Sequence, residues 1–206
     1  MKQTWWQWAV MTWCLGLFMQ LGFANALTHP AQQQMQQNTV AVMDIINNQS
    51  LNNSQKIQRL NVYADRHLDY ERIAALSVGQ PWRQFSPKQK QDFISAFKDM
   101  MIGLYSNTAL LAAQNAKVTV LPRSSSDNSA TQARVYTQIV NNKNKSYAVD
   151  YQMYKSGNTW KIYNINVEGA SIVTIYRSQF GEIIQKQGID GLIQALRNKS
   201  IKTPKK

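Results

Sequence analysis

The run SYAVDYQMYKSGNTWKIYNINV, residues 146–167, decides the fold. Apolar and polar residues alternate on both sides of Ser156-Gly157-Asn158, so two strands joined by a tight turn are predicted over Ser146–Tyr154 and Thr159–Val167. Alternation also assigns faces. Val149, Tyr151 and Met153 lie opposite Asp150 and Gln152, and Tyr163, Ile165 and Val167 lie opposite Asn164 and Asn166. The pair thus carries an apolar face that needs a cover.

Working upstream, Asn141–Lys145 is a turn, Arg134–Val140 a strand, Pro122–Thr131 a serine-rich loop and Lys117–Leu121 a further strand. Consecutive strands with short connections form an antiparallel meander of four. Before Asn115 the period changes from 2 to about 3.6. Ser86-Pro87-Lys88-Gln89 opens a long helix, with Ser86 as cap and Gln89 completing a capping box, and its stripe runs through Phe93, Phe97, Met100, Met101, Leu104 and Leu111. Earlier helices are predicted from Met35 to Ile46, after a cap at Asn52–Ser54 through Ile57, Leu60, Ala64 and Leu68, and from Tyr70 to Gly79. Leu27–Gln37, rich in glutamine, reads as a loose arm. Downstream, Ser171 caps a helix to Gln187, Gly188 stops it, and Asp190 caps a last short one through Leu196. The fold class is α+β, with helices covering a curved antiparallel sheet.

The N-terminus points to export. Lys2 precedes an apolar stretch, Ala9–Phe23, and Ala24-Asn25-Ala26 places small residues where a signal peptidase reads. A membrane anchor is the competing reading, but the stretch is shorter than the roughly 18 residues a spanning helix needs. Cys14, the only cysteine, follows Trp13, where a lipoprotein signal requires a small residue. With 1–26 as a cleavable signal, the remainder lacks cysteine and uses no disulfide, thiol nucleophile or thiolate metal site. It divides into one domain, 27–200, and a basic tail, 201–206. The whole chain carries +12; less the charge of Lys2, the exported part carries +11. That surplus favours anionic partners, and outside the cytoplasm lipid head groups fit better than nucleic acid.

Catalytic chemistry is poorly supplied. His29 falls in the arm, and His67 projects away from the face shared by Asp65 and Asp69, which argues against a metal site. No glycine-x-serine-x-glycine elbow occurs. Glu168, at the strand-to-helix junction, reads as a turn-holding acid before a catalytic one. The large apolar residues fit a dry core and an acyl-chain pocket equally well, because periodicity does not separate the two.

Further motifs bear on this choice. Trp160-Lys161-Ile162-Tyr163-Asn164-Ile165-Asn166-Val167-Glu168-Gly169-Ala170-Ser171, then Ile175–Phe180 and Gly188–Ile193, resemble the C-terminal signature of the MlaC (toluene-tolerance) family of phospholipid-binding ABC transporter auxiliary proteins. Asp69–Ala74, Trp82 and Ser86–Lys90 followed by Phe93 and Phe97 resemble its N-terminal half in the same order. Asn164 departs from the aspartate common there, and Ala170 from valine.

The resemblance implies a fold similar to nuclear transport factor 2, with an apolar cavity between helices and sheet. It implies a soluble periplasmic phospholipid carrier working between an outer-membrane lipoprotein complex and an inner-membrane ABC transporter to maintain outer-membrane lipid asymmetry, as a monomer with no cofactor and no reaction. The lining residues it implies are Phe97, Leu104, Tyr105, Tyr151, Met153, Ile165, Val167, Ala170 and Val173, and a charge at Ala170 is expected to expel lipid. Two other classes stay open: a small-molecule isomerase or hydrolase on a similar cone-shaped fold, and an envelope chaperone or adaptor without a cavity.

Overall fold

The computed structural model describes residues 27–201 apart from Ser124 and Asp127; the expected export signal and residues 202–206 of the tail lie outside the described residues. Among these, the elements run α1 (Pro30–Asn47), α2 (Asn53–His67), α3 (Tyr70–Val78), a short 3-10 helix (Gln80–Gln84), α4 (Pro87–Ala113), β1 (Lys117–Val120), β2 (Gln132–Val140), β3 (Ser146–Ser156), β4 (Thr159–Val167), β5 (Ala170–Ser171) and α5 (Ile172–Arg197). The strands form one antiparallel sheet in chain order. It is the expected meander with a fifth, two-residue strand added. Glu168 and Gly169, both at positive φ, make the two-residue turn that adds it. The Glu168 carboxylate accepts from the Ala148 amide and its own amide donates to the Ala148 carbonyl, as a turn-holding acid should.

Local signals set most helix ends. Ser86 and Gln89 bond reciprocally, Asn52 and Gln55 do the same, and the Ser171 hydroxyl accepts from the Thr174 amide. Gly188, at φ 73, interrupts α5 and splits it into the long and short helices that the sequence suggests.

The N-terminal segment departs from expectation. It is no loose arm: α1 begins at Pro30 with His29 as its cap. Its glutamines join the helix to the sheet. The Gln34 amide both donates to the Trp160 carbonyl (2.7 Å) and accepts from the Trp160 amide (2.8 Å), while buried Gln32 donates to the carbonyls of Leu121 and Arg123. Side-chain amides here satisfy a strand edge and a loop that lack strand partners.

A second departure lies in β4. A bulge shifts the register so that Met153 pairs with Ile162 while Tyr151 pairs with Ile165. Tyr163 therefore leaves the apolar face and packs with Tyr154 on the other, where the Arg72 guanidinium stacks on both rings. Asn164 and Asn166 are not on an open face either. They are 8% and 6% exposed, in a relay that runs from the Ser171 hydroxyl through Asn164 and Asn166 to Asp150, which pairs with Arg134 at 3.3 Å.

Two apolar clusters result. The helical cluster joins α3, the 3-10 helix, α4 and α5 around stacked and edge-on rings of Phe93, Phe97, Tyr176 and Phe180. The sheet cluster joins Ala31 and Met35 of α1 to Val120, Val135, Met153, Trp160 and Ile162. Leu68 packs against both.

Candidate functional site

The apolar cleft lies at the seam between these clusters, and a break in strand pairing places it there. Along its outer edge, β4 is met by Gln34 at Trp160, by a backbone bridge from Leu68 at Ile162, and by β5 at Asn166 and Val167. Between them, the outer edge of Tyr163–Ile165, the side away from β3, has no strand partner among the described residues. Asn164 and Ile165 there form one wall of a cleft of about 240 Å³ that opens to solvent. Its other walls are Leu60, Asn61 and Ala64 of α2; Leu68, Tyr70 and Ile73 at the start of α3; Phe97, Met101, Ile102, Tyr105 and Ser106 of α4; and Ile172 and Val173 of α5. No wall residue carries a charge.

Four of the expected lining residues come together in this cleft: Phe97, Tyr105, Ile165 and Val173. Leu104 packs partly buried against the helical cluster instead. Met153 is fully buried in the sheet cluster beneath α1, with Tyr151 against it. Val167 pairs with Ala170 in the β4–β5 turn, and Ala170 is exposed. A charge at Ala170 therefore stays in water, away from the walls of this cleft. The sequence does not mark the α2 wall, because Leu60 and Ala64 have the spacing of an ordinary core stripe. Leu111, placed by periodicity on the α4 stripe, is 58% exposed.

Polar groups at the walls are neutral. The Tyr105 hydroxyl meets that of Tyr176 at 2.7 Å, and burial followed by this hydrogen bond raises the Tyr176 phenol well above its ordinary value. Burial, then the nearby Asp65 carboxylate, pushes Tyr70 up to about 12. Both phenols stay protonated at neutral pH. Neither is set up as a base.

At the base of α2, His67 stacks on Tyr63 at 4.4 Å between ring centres, and its Nδ1 is buried with no hydrogen-bond partner among the described residues. Burial first, then the cationic Lys161 and Arg66, lowers its pKa below 6.5. The unfolded chain therefore binds this proton more readily than the folded one. Its contribution to stability is fully present above pH 6.5 and declines as pH falls through 6.5 toward the lower folded value. His67→Gln is expected to flatten the fall in melting temperature between pH 7.5 and 5.5. An unchanged slope in the variant would assign that acid sensitivity to carboxylates instead.

Among the described residues, no group of three or more His, Cys, Asp or Glu side chains is gathered to hold a metal, and no helix is long and apolar enough to cross a membrane. Such a fold, an antiparallel sheet covered by helices with a neutral apolar cleft at the junction of two clusters, is an α+β architecture of the ligand-cleft type rather than one with an acid–base or metal centre among the described residues. The family model for MlaC protein matches residues 36–198, and the chain belongs to that family. Toluene tolerance protein ttg2D of Pseudomonas putida is 33% identical over 108 residues, a match that spans 52% of this chain and 49% of that relative. Among solved structures, a phospholipid-binding protein from Ralstonia solanacearum, determined in complex with a phospholipid, superposes with a TM-score of 0.72 at 29% identity, covering 82% of this chain and 96% of that one.

Proposed function

We propose that this protein is exported by a cleavable signal, residues 1–26, and that its single domain, residues 27–200, binds phospholipid and carries it through the periplasm without catalysing a reaction. Its partners are an inner-membrane ABC transporter complex and an outer-membrane lipoprotein complex, and its work maintains outer-membrane lipid asymmetry. The observation that carries this reading is the uncharged cleft at the seam, in a fold shared with a relative solved with phospholipid bound. Acyl chains leave water for such walls at roughly 0.8 kcal/mol per methylene. The binding residues proposed are Phe97, Tyr105, Ile165 and Val173, with Leu68 and Met101 beside them. Asp150 is tied to Arg134 and Asn166 rather than to the cleft, which favours binding over acid–base chemistry.

At about 240 Å³ the cleft falls below the roughly 300 Å³ at the small end of ligand pockets. A whole diacyl lipid therefore requires the walls to part further. Native mass spectrometry of the protein purified after export, with phosphorus analysis of the extracted lipid, tests the proposal. One phospholipid per chain is expected. A protein that arrives empty and takes up none from vesicles excludes it.

A further inference from the structure

The walls of the cleft carry no charge, but two charges meet across its rim. Asp65 directly follows the wall residue Ala64 on α2, and Lys98 directly follows the wall residue Phe97 on α4. Their side chains form an ion pair at 2.7 Å, and the same ammonium lies 5.2 Å above the ring of Tyr70, another wall residue. This contact ties α2 to α4 where α2 is otherwise weakly held. The one buried residue of α2 is Lys56, and its remaining ties to its neighbours include the Lys56 bond to the Ile46 carbonyl, the Tyr63 bond to Asn38 and the Leu68 bridge at its end. An element with so few buried apolar contacts is the one that opens first.

The two partners are unequally placed. The Asp65 side chain is 44% exposed and the Lys98 side chain 30%. When the pair separates, Asp65 regains water easily, whereas Lys98, over an aromatic ring at the edge of an apolar cleft, keeps its need for an anion. Exposed ion pairs are weak, so a competing anion displaces the carboxylate at little cost. A phosphodiester is such an anion. It offers a full negative charge and several oxygens to a lysine, and in a phospholipid it sits where acyl chains end and water begins.

Resting on the phospholipid-binding reading above, we infer that Lys98 and Asp65 form a phosphate-keyed latch: the phosphate of an incoming phospholipid takes the Lys98 ammonium from Asp65, freeing α2 from α4 and holding the head group at the rim. Lys98 is then the residue that distinguishes a phospholipid from a neutral lipid with the same chains, and Asp65 is its competitor.

The test measures uptake by the protein purified after export, from phosphatidylcholine vesicles carrying a trace of fluorescent phosphatidylglycerol or of the matching fluorescent diacylglycerol. Wild-type protein is expected to favour phosphatidylglycerol by about tenfold, the scale of one charge-assisted hydrogen bond. Lys98→Gln should reduce that preference to about twofold or less, with diacylglycerol uptake at or above that of wild type because the pair no longer ties α2 to α4, and Lys98→Arg should restore it. Asp65→Asn should raise phosphatidylglycerol uptake a few-fold, because the lysine no longer has a resident partner. Melting temperatures of all variants near that of wild type guard against unfolding as the cause. Retention of the full preference in Lys98→Gln overturns the latch, as does equal uptake of the two lipids by wild type; the carrier reading survives both results. Uptake of neither lipid by wild type removes the carrier reading and the latch together.

Discussion

Met101→Glu protein is expected to emerge from the cell with no lipid, while Ala170→Glu protein retains its full complement. Met101 lies on the α4 wall of the cleft and is only partly buried. A glutamate suits the helix, and because Met101 packs against the helical cluster from its solvent side, the comparison is made between proteins of matched stability. With lipid bound, however, the carboxylate faces acyl chains. It must then either lose its hydration or take up a proton, and each route costs several kcal/mol, enough to lower occupancy by more than about a hundredfold. Ala170 provides the contrast, since its exposed place on β5 leaves an added carboxylate in water. Native mass spectrometry of both variants at matched melting temperatures reads the difference. Lipid at wild-type stoichiometry in Met101→Glu would move the binding site away from the seam.

Phe180→Ala should produce the largest loss of stability among single truncations. Phe180 is fully buried, with Phe93, Phe97 and Tyr176 all within 5.5 Å between ring centres. Removing it deletes one member of an interlocked aromatic group and leaves a hole that neighbouring rings, already in contact, fill poorly. Phenylalanine-to-alanine changes of this kind cost about 3–5 kcal/mol, which lowers the melting temperature by about 10 °C in a chain of this size. Phe180→Leu should recover most of that. The loss also bears on the cleft, because Phe97 is a wall residue and Tyr176 positions the Tyr105 hydroxyl. A drop of less than about 3 °C in calorimetry would show that the cluster closes over the gap, and that these rings support one another less than their geometry implies.

Strands and caps were legible because their signals are local. Ser156-Gly157-Asn158 turns the chain whatever surrounds it, and the Ser86–Gln89 box closes within one helical turn. The glutamine-rich start of the chain is not legible, for the opposite reason. Gln32 and Gln34 resemble solvent-loving loop residues until the Leu121, Arg123 and Trp160 backbones, about a hundred residues away, supply what their amides require. Likewise, strict alternation put Tyr163 on the apolar face and Asn164 and Asn166 opposite it. One bulged residue moved Tyr163 across to Tyr154 and Arg72, and the asparagines became a buried relay.

By itself the order of residues determined an α+β chain with an antiparallel meander, the helix boundaries after the first helix and a large apolar inventory, since periods of 2 and 3.6 and capping bonds act over a few positions. Tertiary structure alone decided that this inventory divides into two clusters. It also decided that the cleft follows a three-residue gap in the edge of β4, and that Phe97, Tyr105, Ile165 and Val173 reach it while Met153 and Ala170 do not. Those outcomes depend on which distant backbone groups find partners and which apolar faces meet, and burial of this kind is non-directional: a stripe of large residues packs equally well against a neighbouring helix or around an open space.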